Sequence, residues 1–213
     1  MTSLKNLFIS FQLLLGIASS PVASAIEKPE YEVILEAGKV EYRRYESFIV
    51  AETEVVDVDE WKDAANEGFM RLFDYITGDN EGAQKIAMTA PVQQSRIRKE
   101  DLRFNQAEPL EDGMGWKVSF MLPSGYTLAS APTPEDARIK LLLVPEKIVA
   151  AVRYSGRWTQ KNFDKHASRL MAALSKDGVE ALGVPESAVY NPPFVPPFMR
   201  RNEILVEVAR VPE

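Results

Sequence analysis

The chain has 213 residues, of which 46% are hydrophobic and 26% charged, and its formal net charge is −6. This acidic balance argues against nucleic acid or an anionic membrane surface as the main partner. The chain has no cysteine, which excludes disulfides and haem attachment through a Cys-x-x-Cys-His motif. The hydrophobic core alone must therefore hold the fold.

The first 25 residues have the layout of an export signal. Lys5 precedes an apolar stretch of about twelve residues, whereas a membrane span needs about twenty, and small residues follow as far as Ala25. We predict cleavage after Ala25 and an exported protein, periplasmic or extracellular, with no stable membrane insertion. An uncleaved N-terminal anchor is the alternative. The remaining 213 − 25 = 188 residues, 26–213, suffice for one domain, and loss of Lys5 changes the formal charge from −6 to −7.

Strands and a helix come next along the chain. Residues 31–56 are rich in β-branched and aromatic side chains, which predicts extended strands. The acidic start DVDE leads into a first helix, WKDAANEGFMRLFDYI. We predict Asp57 or Asp59 as its N-cap and Gly78 as its end.

The segment after the first helix reads KIAMTAPV. Its alternation predicts a half-buried strand over residues 85–92, and Pro91 should end it because proline has no N–H for the ladder. The polar residues 93–115 read as a loop or ragged hairpin. WKVSFML, residues 116–122, alternates cleanly and predicts another strand.

The order of elements then repeats. IKLLLVPEKIVAAVRYSG reads as two strands, TQKNFDKHASRLMAALSKDG as a second helix ending at Gly178, and NEILVEVAR as a final strand. Lys39-Val40 matches Lys147-Ile148, and Arg44-Tyr45 matches Arg153-Tyr154 at nearly the same offset. These repeats predict a duplicated β-α-β unit whose halves share one sheet system.

Three motifs in this order resemble one protein family. They are KIAMTAPV after the first helix, YSG before the second, and YNPPFVPPFMRRNEI before the last strand. Together they resemble the SOUL haem-binding protein family over residues 31–208. The resemblance implies an α+β fold, a distorted antiparallel β-barrel flanked by two helices and built from two pseudo-symmetric β-α-β halves. It also implies that haem or another tetrapyrrole is held non-covalently in an apolar groove, by one helix and a nearby loop.

The first helix has more apolar surface than packing on a sheet requires. Its apolar residues cover an arc of about 180°, whereas those of the second helix cover about 100°. We predict that the excess binds the ligand, through Phe69, Leu72, Phe73 and Ile76. The alternative is that residues 93–115 cover this surface.

The proline-rich loop before the last strand is the second part of the predicted groove. Prolines restrict φ and lower the entropy lost when a loop orders around a ligand. Apolar side chains would contact the macrocycle and guanidinium groups would bind propionates, although the arginines could equally solvate the entrance of the strand. The predicted loop residues are Phe194, Val195, Phe198, Met199, Arg200 and Arg201.

Two residues are candidates for an axial iron ligand. His166, the only histidine, lies at the border of the apolar stripe of the second helix. Met88 could bind iron through its thioether, with core packing as the alternative. Some animal members of the family carry a histidine, proposed as iron ligand, where Arg44 stands here, so that role does not transfer. Basic residues of animal members correspond to Asp74 and Val195 here.

The function predicted from the sequence is non-catalytic tetrapyrrole binding by an exported protein. The sequence lacks Gly-x-Ser-x-Gly and His-Glu-x-x-His motifs. Asp164, His166 and Ser168 are too close in one helix to converge as a catalytic triad. Two alternatives remain: an enzyme acting on a tetrapyrrole or another amphipathic substrate, and a binding module for a different hydrophobic ligand or a protein partner.

Overall fold

The computed structural model describes residues 26–56, 58, 60–97 and 115–212. The predicted signal segment, 1–25, lies outside these ranges. Neither α-helix within them is long and apolar enough to cross a membrane. The elements, in chain order, are β1 Tyr31–Ala37, β2 Val40–Tyr45, β3 Phe48–Val56, α1 Trp61–Thr77, β4 Val92–Ile97, β5 Gly115–Met121, β6 Ile139–Val144, β7 Lys147–Tyr154, α2 Gln160–Lys176, β8 Glu186–Val189, a 3₁₀ turn Pro197–Met199, and β9 Asn202–Glu207.

The strands form one antiparallel sheet in the order β1-β2-β7-β9-β8-β4-β5-β3-β6. If β2 is exchanged with β6, β3 with β7, β4 with β8 and β5 with β9, the order from β2 to β6 reads the same in reverse. This confirms the predicted α+β fold with two pseudo-symmetric halves, each carrying one helix. The residue matches from which we inferred the repeat were wrong, because they align β2 with β7, whereas β3 is the strand that corresponds to β7.

The sheet curls into a half-barrel. One face lines a cavity, and both helices pack on the opposite, outer face. α1 lies over β3 and β5, while α2 lies over β7 and β9. Trp61 at the start of α1 joins the two helices, since its ring centroid is 4.7 Å from that of Phe163 on α2 and 5.1 Å from that of Trp116 on β5.

The helix ends follow the predicted signals, with one exception. α1 ends at Gly78, whose φ of +136° suits glycine. The N-cap position of α1 is Glu60, so the prediction of Asp57 or Asp59 was wrong. α2 begins after Thr159, whose side chain accepts a hydrogen bond from the Asn162 amide.

KIAMTAPV is an extended connection and not the predicted strand. Its amides bond outside any ladder: Ile86 N donates to Ile76 O at 2.8 Å, and Ala90 N donates to Glu27 O at 2.9 Å. Strand β4 begins only at Val92, so Pro91 precedes a strand instead of ending one. Of the two alternatives for residues 93–115, the structure supports the ragged hairpin, because 93–97 belong to β4, which pairs antiparallel with β5; residues 98–114 lie outside the described ranges.

A buried ion-pair network lies on the concave face of the sheet. Arg43 and Glu203, 1% and 0% exposed, share two hydrogen bonds of 2.7 and 3.0 Å. Glu203 also accepts from Arg201 Nε at 2.9 Å and from the Tyr190 hydroxyl at 2.8 Å. Such a network is a structural element, because its partners satisfy charges that would be costly to bury alone.

Gly68 sets the distance between α1 and the sheet. A Cβ built on Gly68 would lie 2.5 Å from Cγ2 of Val118 on β5. We expect Gly68→Ala to lower the free energy of unfolding by about 1–3 kcal/mol, because the helix must move away from the sheet. Urea denaturation measures this. The control is Gly125→Ala, where a Cβ meets nothing within 4 Å, and equal losses in the two variants would contradict the close approach.

Candidate functional site

The predicted groove would lie on the outer face of the sheet, between α1 and the proline-rich loop. The register places Phe120, Val92, Val189 and Asn202 side by side on β5, β4, β8 and β9, and directly opposed residues share a face. Val92 and Val189 are only half-buried although their strands are central in the sheet. These two valines would form the floor of the predicted groove, which we call the helix–loop groove.

Tryptophans close one end of the helix–loop groove. Gln94 and Ser187 lie two residues from Val92 and Val189 along β4 and β8. Gln94 Nε2 donates to the carbonyl of Trp61 at 3.1 Å, and Trp158 Nε1 donates to Ser187 Oγ at 3.0 Å. The ring centroids of Trp61 and Trp158 are 5.8 Å apart. The helices therefore meet over this part of the sheet, and the groove opens beyond it.

The helix wall of the groove is formed by a pair of phenylalanines. Phe69 packs on Phe120 of β5, with ring centroids 5.3 Å apart, and stacks with Phe73 at 5.9 Å. Phe73 is 39% exposed. The other two predicted residues of this helix, Leu72 and Ile76, are 0% and 4% exposed and pack in the core beneath it. Of the four predicted residues, Phe69 and Phe73 are thus the two that lie outside the core.

The loop between β8 and β9 would supply the other wall of the predicted groove. It leaves the sheet just after the floor residue Val189 and re-enters at Asn202. Phe194, Phe198 and Met199 are 84%, 77% and 64% exposed, while Val195 is half-buried. Three large apolar side chains on one short loop are a concentration that ordinary surfaces rarely show.

The separation of the two walls follows from the strand order. From Phe120 to Asn202 the floor crosses three strand spacings, which amounts to ~14 Å at the usual separation of neighbouring strands. A flat, mainly apolar ligand can lie across such a floor with apolar side chains on both sides.

The two predicted arginines make contacts within the protein. Arg200 Nε donates to the Val195 carbonyl at 2.7 Å, and its Nη2 donates to the Pro193 carbonyl. Arg201 donates to Glu203, and its guanidinium lies 4.1 Å from the centroid of the Tyr190 ring. The hydrogen bonds of Arg200 therefore join different parts of the loop, and Arg201 connects the end of the loop to the buried ion-pair network.

We expect Arg200→Ala to loosen the loop while leaving the sheet intact. Both carbonyl partners of Arg200 lie in the loop, so the loss of these two hydrogen bonds should speed amide hydrogen exchange in residues 191–201. We expect an increase of about tenfold, equivalent to ~1.4 kcal/mol. Exchange measured by mass spectrometry checks this. Arg169→Ala, at an exposed position of α2, is the control. Unchanged amide exchange in Arg200→Ala would show that these hydrogen bonds do not hold the loop.

The two candidate iron ligands lie on different parts of the outer face. Met88 is half-buried and packs against the same core cluster as Phe69. His166 lies on α2, where its ring stacks on Tyr154 at a centroid distance of 4.1 Å. Burial, aided by the positive charges of Arg169 and Lys165, lowers the pKa of His166. Of the two, Met88 is the one that shares a cluster with a groove residue.

Sequence reasoning missed the groove floor. Val92 was placed in a predicted strand and Val189 was not noticed, because neither carries a distinctive local pattern. Their role depends on β4 pairing with β8, the contact that joins the two halves of the chain. The available signal was that each valine directly adjoins a special segment: Val92 ends KIAMTAPV, and Val189 precedes the proline-rich loop.

The fold defines a class of domains with one curled antiparallel sheet and two helices, and comparison with known proteins gives the family. The model of the SOUL heme-binding protein family matches residues 26–207. Heme-binding protein 1 of Mus musculus is 27% identical over 198 residues, covering 90% of this chain and 97% of its own. Heme-binding protein 1 of Xenopus laevis is 26% identical over 195 residues, covering 89% and 96%. The chain belongs to the SOUL heme-binding protein family.

Solved structures support the fold alone. The C-terminal domain of EcmrR aligns with a TM-score of 0.55 at 13% identity, covering 85% of this chain and 99% of that domain. An uncharacterized conserved protein from Listeria innocua aligns with a TM-score of 0.53 at 11% identity, covering 80% and 92%. At these identities the likeness extends to the arrangement of strands and helices and not to their ligands.

Proposed function

We propose that this protein binds haem or another tetrapyrrole non-covalently in the helix–loop groove. The observation that carries the proposal is the concentration of exposed apolar side chains on two elements, Phe73 on α1 and Phe194, Phe198 and Met199 on the loop, on either side of a half-buried floor. Membership of the SOUL heme-binding protein family supports the same ligand class.

The groove suits the macrocycle better than the propionates. A porphyrin that buries a few hundred Å² of apolar surface gains roughly 10 kcal/mol gross at about 25 cal/mol per Å². Ordering the loop and immobilising the ligand oppose this, so that micromolar affinity or somewhat tighter is expected. Arg200 and Arg201 remain the predicted propionate partners, through donors beyond those that bind the protein.

Met88 is the favoured axial ligand if the iron takes one from the protein. Its thioether packs with the cluster that contacts Phe69, whereas His166 lies on the other helix, α2, and stacks against Tyr154. Bound haem would bring an iron whose open positions can take such a ligand. The protein's own part is to present apolar walls and to exclude water from one face of the ring.

The protein is proposed to act as a carrier or buffer and not as an enzyme. The match to the SOUL heme-binding protein family over residues 26–207 supports a binding role. Export is proposed from the sequence of residues 1–25, and N-terminal sequencing of the protein recovered from cells would test cleavage after Ala25. A chain that begins at Met1 would contradict export by cleavage.

The proposal is tested by titrating the purified protein with haemin and with metal-free protoporphyrin. Both should saturate at one equivalent, with a shifted Soret band and quenching of tryptophan fluorescence, because Trp158 lies at the closed end of the groove. Similar affinities would show that apolar contacts dominate, and tighter haemin binding that is lost in Met88→Leu would identify the axial ligand. Absence of saturable binding of either compound would overturn the proposal.

A further inference from the structure

The concave face of the half-barrel lines a cavity that the proposed tetrapyrrole site does not use. Its volume is about 490 Å³, within the range of small-molecule sites. Phe48, Val50, Leu142 and Leu205 give it apolar walls. The cavity lies on the opposite side of the sheet from the helix–loop groove, since the residues of each face alternate along every strand.

A row of charged side chains crosses the floor of this cavity. The register places Glu54 opposite Lys117, Lys117 opposite Ser95, and Ser95 opposite Glu186, on four neighbouring strands. Glu52 lies two residues before Glu54, on the same face, and its Oε2 is 3.5 Å from Lys117 Nζ. The charged side chains at these positions are three carboxylates and one ammonium group, and 1 − 3 leaves a formal charge of −2 on this part of the cavity.

Among the residues that the structure describes, the other charged side chains around the cavity do not offset this excess. Lys147 Nζ lies 3.8 Å from Glu207 Oε2, so these two form a balanced pair. Arg96 lies opposite Trp116 in the register, and its guanidinium is 4.9 Å from the centroid of that ring, on the outer face. The surplus negative charge stays with Glu52, Glu54 and Glu186.

These carboxylates are poorly solvated. Glu52 is 9% exposed, and Oε2 of Glu54 is buried without a hydrogen-bond partner. Burial raises the pKa of both groups; Lys117 opposes the shift, and the charge of Glu186 adds to the shift of Glu52. A buried carboxylate oxygen without a partner is costly, and a cation placed between these residues would remove that cost.

We infer that the cavity binds a small amphipathic cation, with its ammonium group between Glu54 and Glu186 and its apolar body against Phe48, Val50 and Leu205. This site lies apart from the proposed tetrapyrrole site and prefers the opposite ligand charge, because haem carries negative propionates. Surplus negative charge on one side and aliphatic walls on the other select a ligand that has both a positive group and a hydrocarbon body.

Calorimetric titration with decyltrimethylammonium, below its micelle concentration, tests the inference. We expect one equivalent to bind, and 1-decanol and decanoate, which share its chain length, to bind at least about tenfold more weakly. Glu54→Gln and Glu186→Gln should each weaken the cation by about tenfold, because each removes a charge at nearly constant volume. Glu32→Gln, whose side chain is 70% exposed on β1, should leave it unchanged.

Three outcomes would overturn the inference. Equal affinity for decanol would show a purely apolar site, and full affinity in both glutamine variants would place the cation elsewhere. Loss of cation binding in Phe73→Asp would place it in the helix–loop groove. Thermal melting of each variant checks the fold. If Glu54→Gln does not fold, Glu186→Gln and the decanol comparison decide the question.

Discussion

Glu203→Gln should lower the free energy of unfolding by about 3–5 kcal/mol, the cost of removing one partner from a buried ion pair. The substitution preserves volume but removes the bidentate partner of Arg43, which is 1% exposed and keeps only the partly exposed Glu41 as a charged partner. Arg201 and Tyr190 lose their charged acceptor at the same time. Because Arg201 adjoins the proline-rich loop, the damage should extend to that loop.

The pH dependence of this loss has a defined sign. Burial alone would raise the pKa of Glu203, but hydrogen bonds and charges from Arg43, Arg201 and Tyr190 hold it below the ordinary value of 4.5. The stabilisation from this carboxylate is therefore complete above pH 4.5 and is lost as pH falls through the lower pKa of the folded state. The difference between wild type and Glu203→Gln should shrink in acid.

Urea denaturation from neutral to acidic pH measures both effects. The matched control is Glu32→Gln, which removes a surface partner of Arg44 at 3.4 Å, with side chains 70% and 46% exposed. That pair should contribute less than about 1 kcal/mol. Equal losses for Glu203→Gln and Glu32→Gln would show that the buried network does not stabilise the fold.

The double variant Phe73→Asp with Phe198→Asp should lose haemin affinity by about 100-fold or more. Each substitution replaces an apolar wall of the groove by a carboxylate that binding must desolvate, and a cost of ~1.4 kcal/mol at each wall gives a factor of ten. Both positions are exposed, 39% and 77%, so the fold should survive. Phe69 is unsuitable for this test because its ring packs on Phe120.

The control for this double variant places the same two charges outside the groove. Leu128→Asp with Leu182→Asp changes side chains that are 48% and 49% exposed and belong to neither wall. Haemin titration and thermal melting of both variants complete the comparison. Retained haemin affinity in Phe73→Asp with Phe198→Asp, or equal loss in the control, would contradict the location of the site.

Local patterns in the sequence predicted the helices and most strands well, because their signals are local. Gly78 and Thr159 mark helix boundaries that the structure confirms. KIAMTAPV failed because its alternation is real only up to Met88, and its amides bond to the end of α1 and to the N-terminal segment instead of a neighbouring strand. Alternation shows which side chains are buried but does not show where the backbone hydrogen bonds go.

The candidate site was harder to predict because its geometry depends on strand order. Leu72 and Ile76 belong to the apolar arc of α1, but the sequence does not separate the part that faces the sheet from the part that remains open. Val92 and Val189 become neighbours only when β4 pairs with β8. Arg201 looked like a surface cation, yet its partner Glu203 is buried by strands distant in sequence.

The most direct test of the central claim is a methyl NMR titration with zinc protoporphyrin, a diamagnetic analogue of haem. Ring currents should shift the methyl resonances of Val92 and Val189 strongly, because these residues form the floor of the helix–loop groove. The methyls of Val149 and Leu205, which line the concave cavity, should change little. Strong shifts at Val149 and Leu205 with none at Val92 and Val189 would place the tetrapyrrole inside the half-barrel and contradict the account.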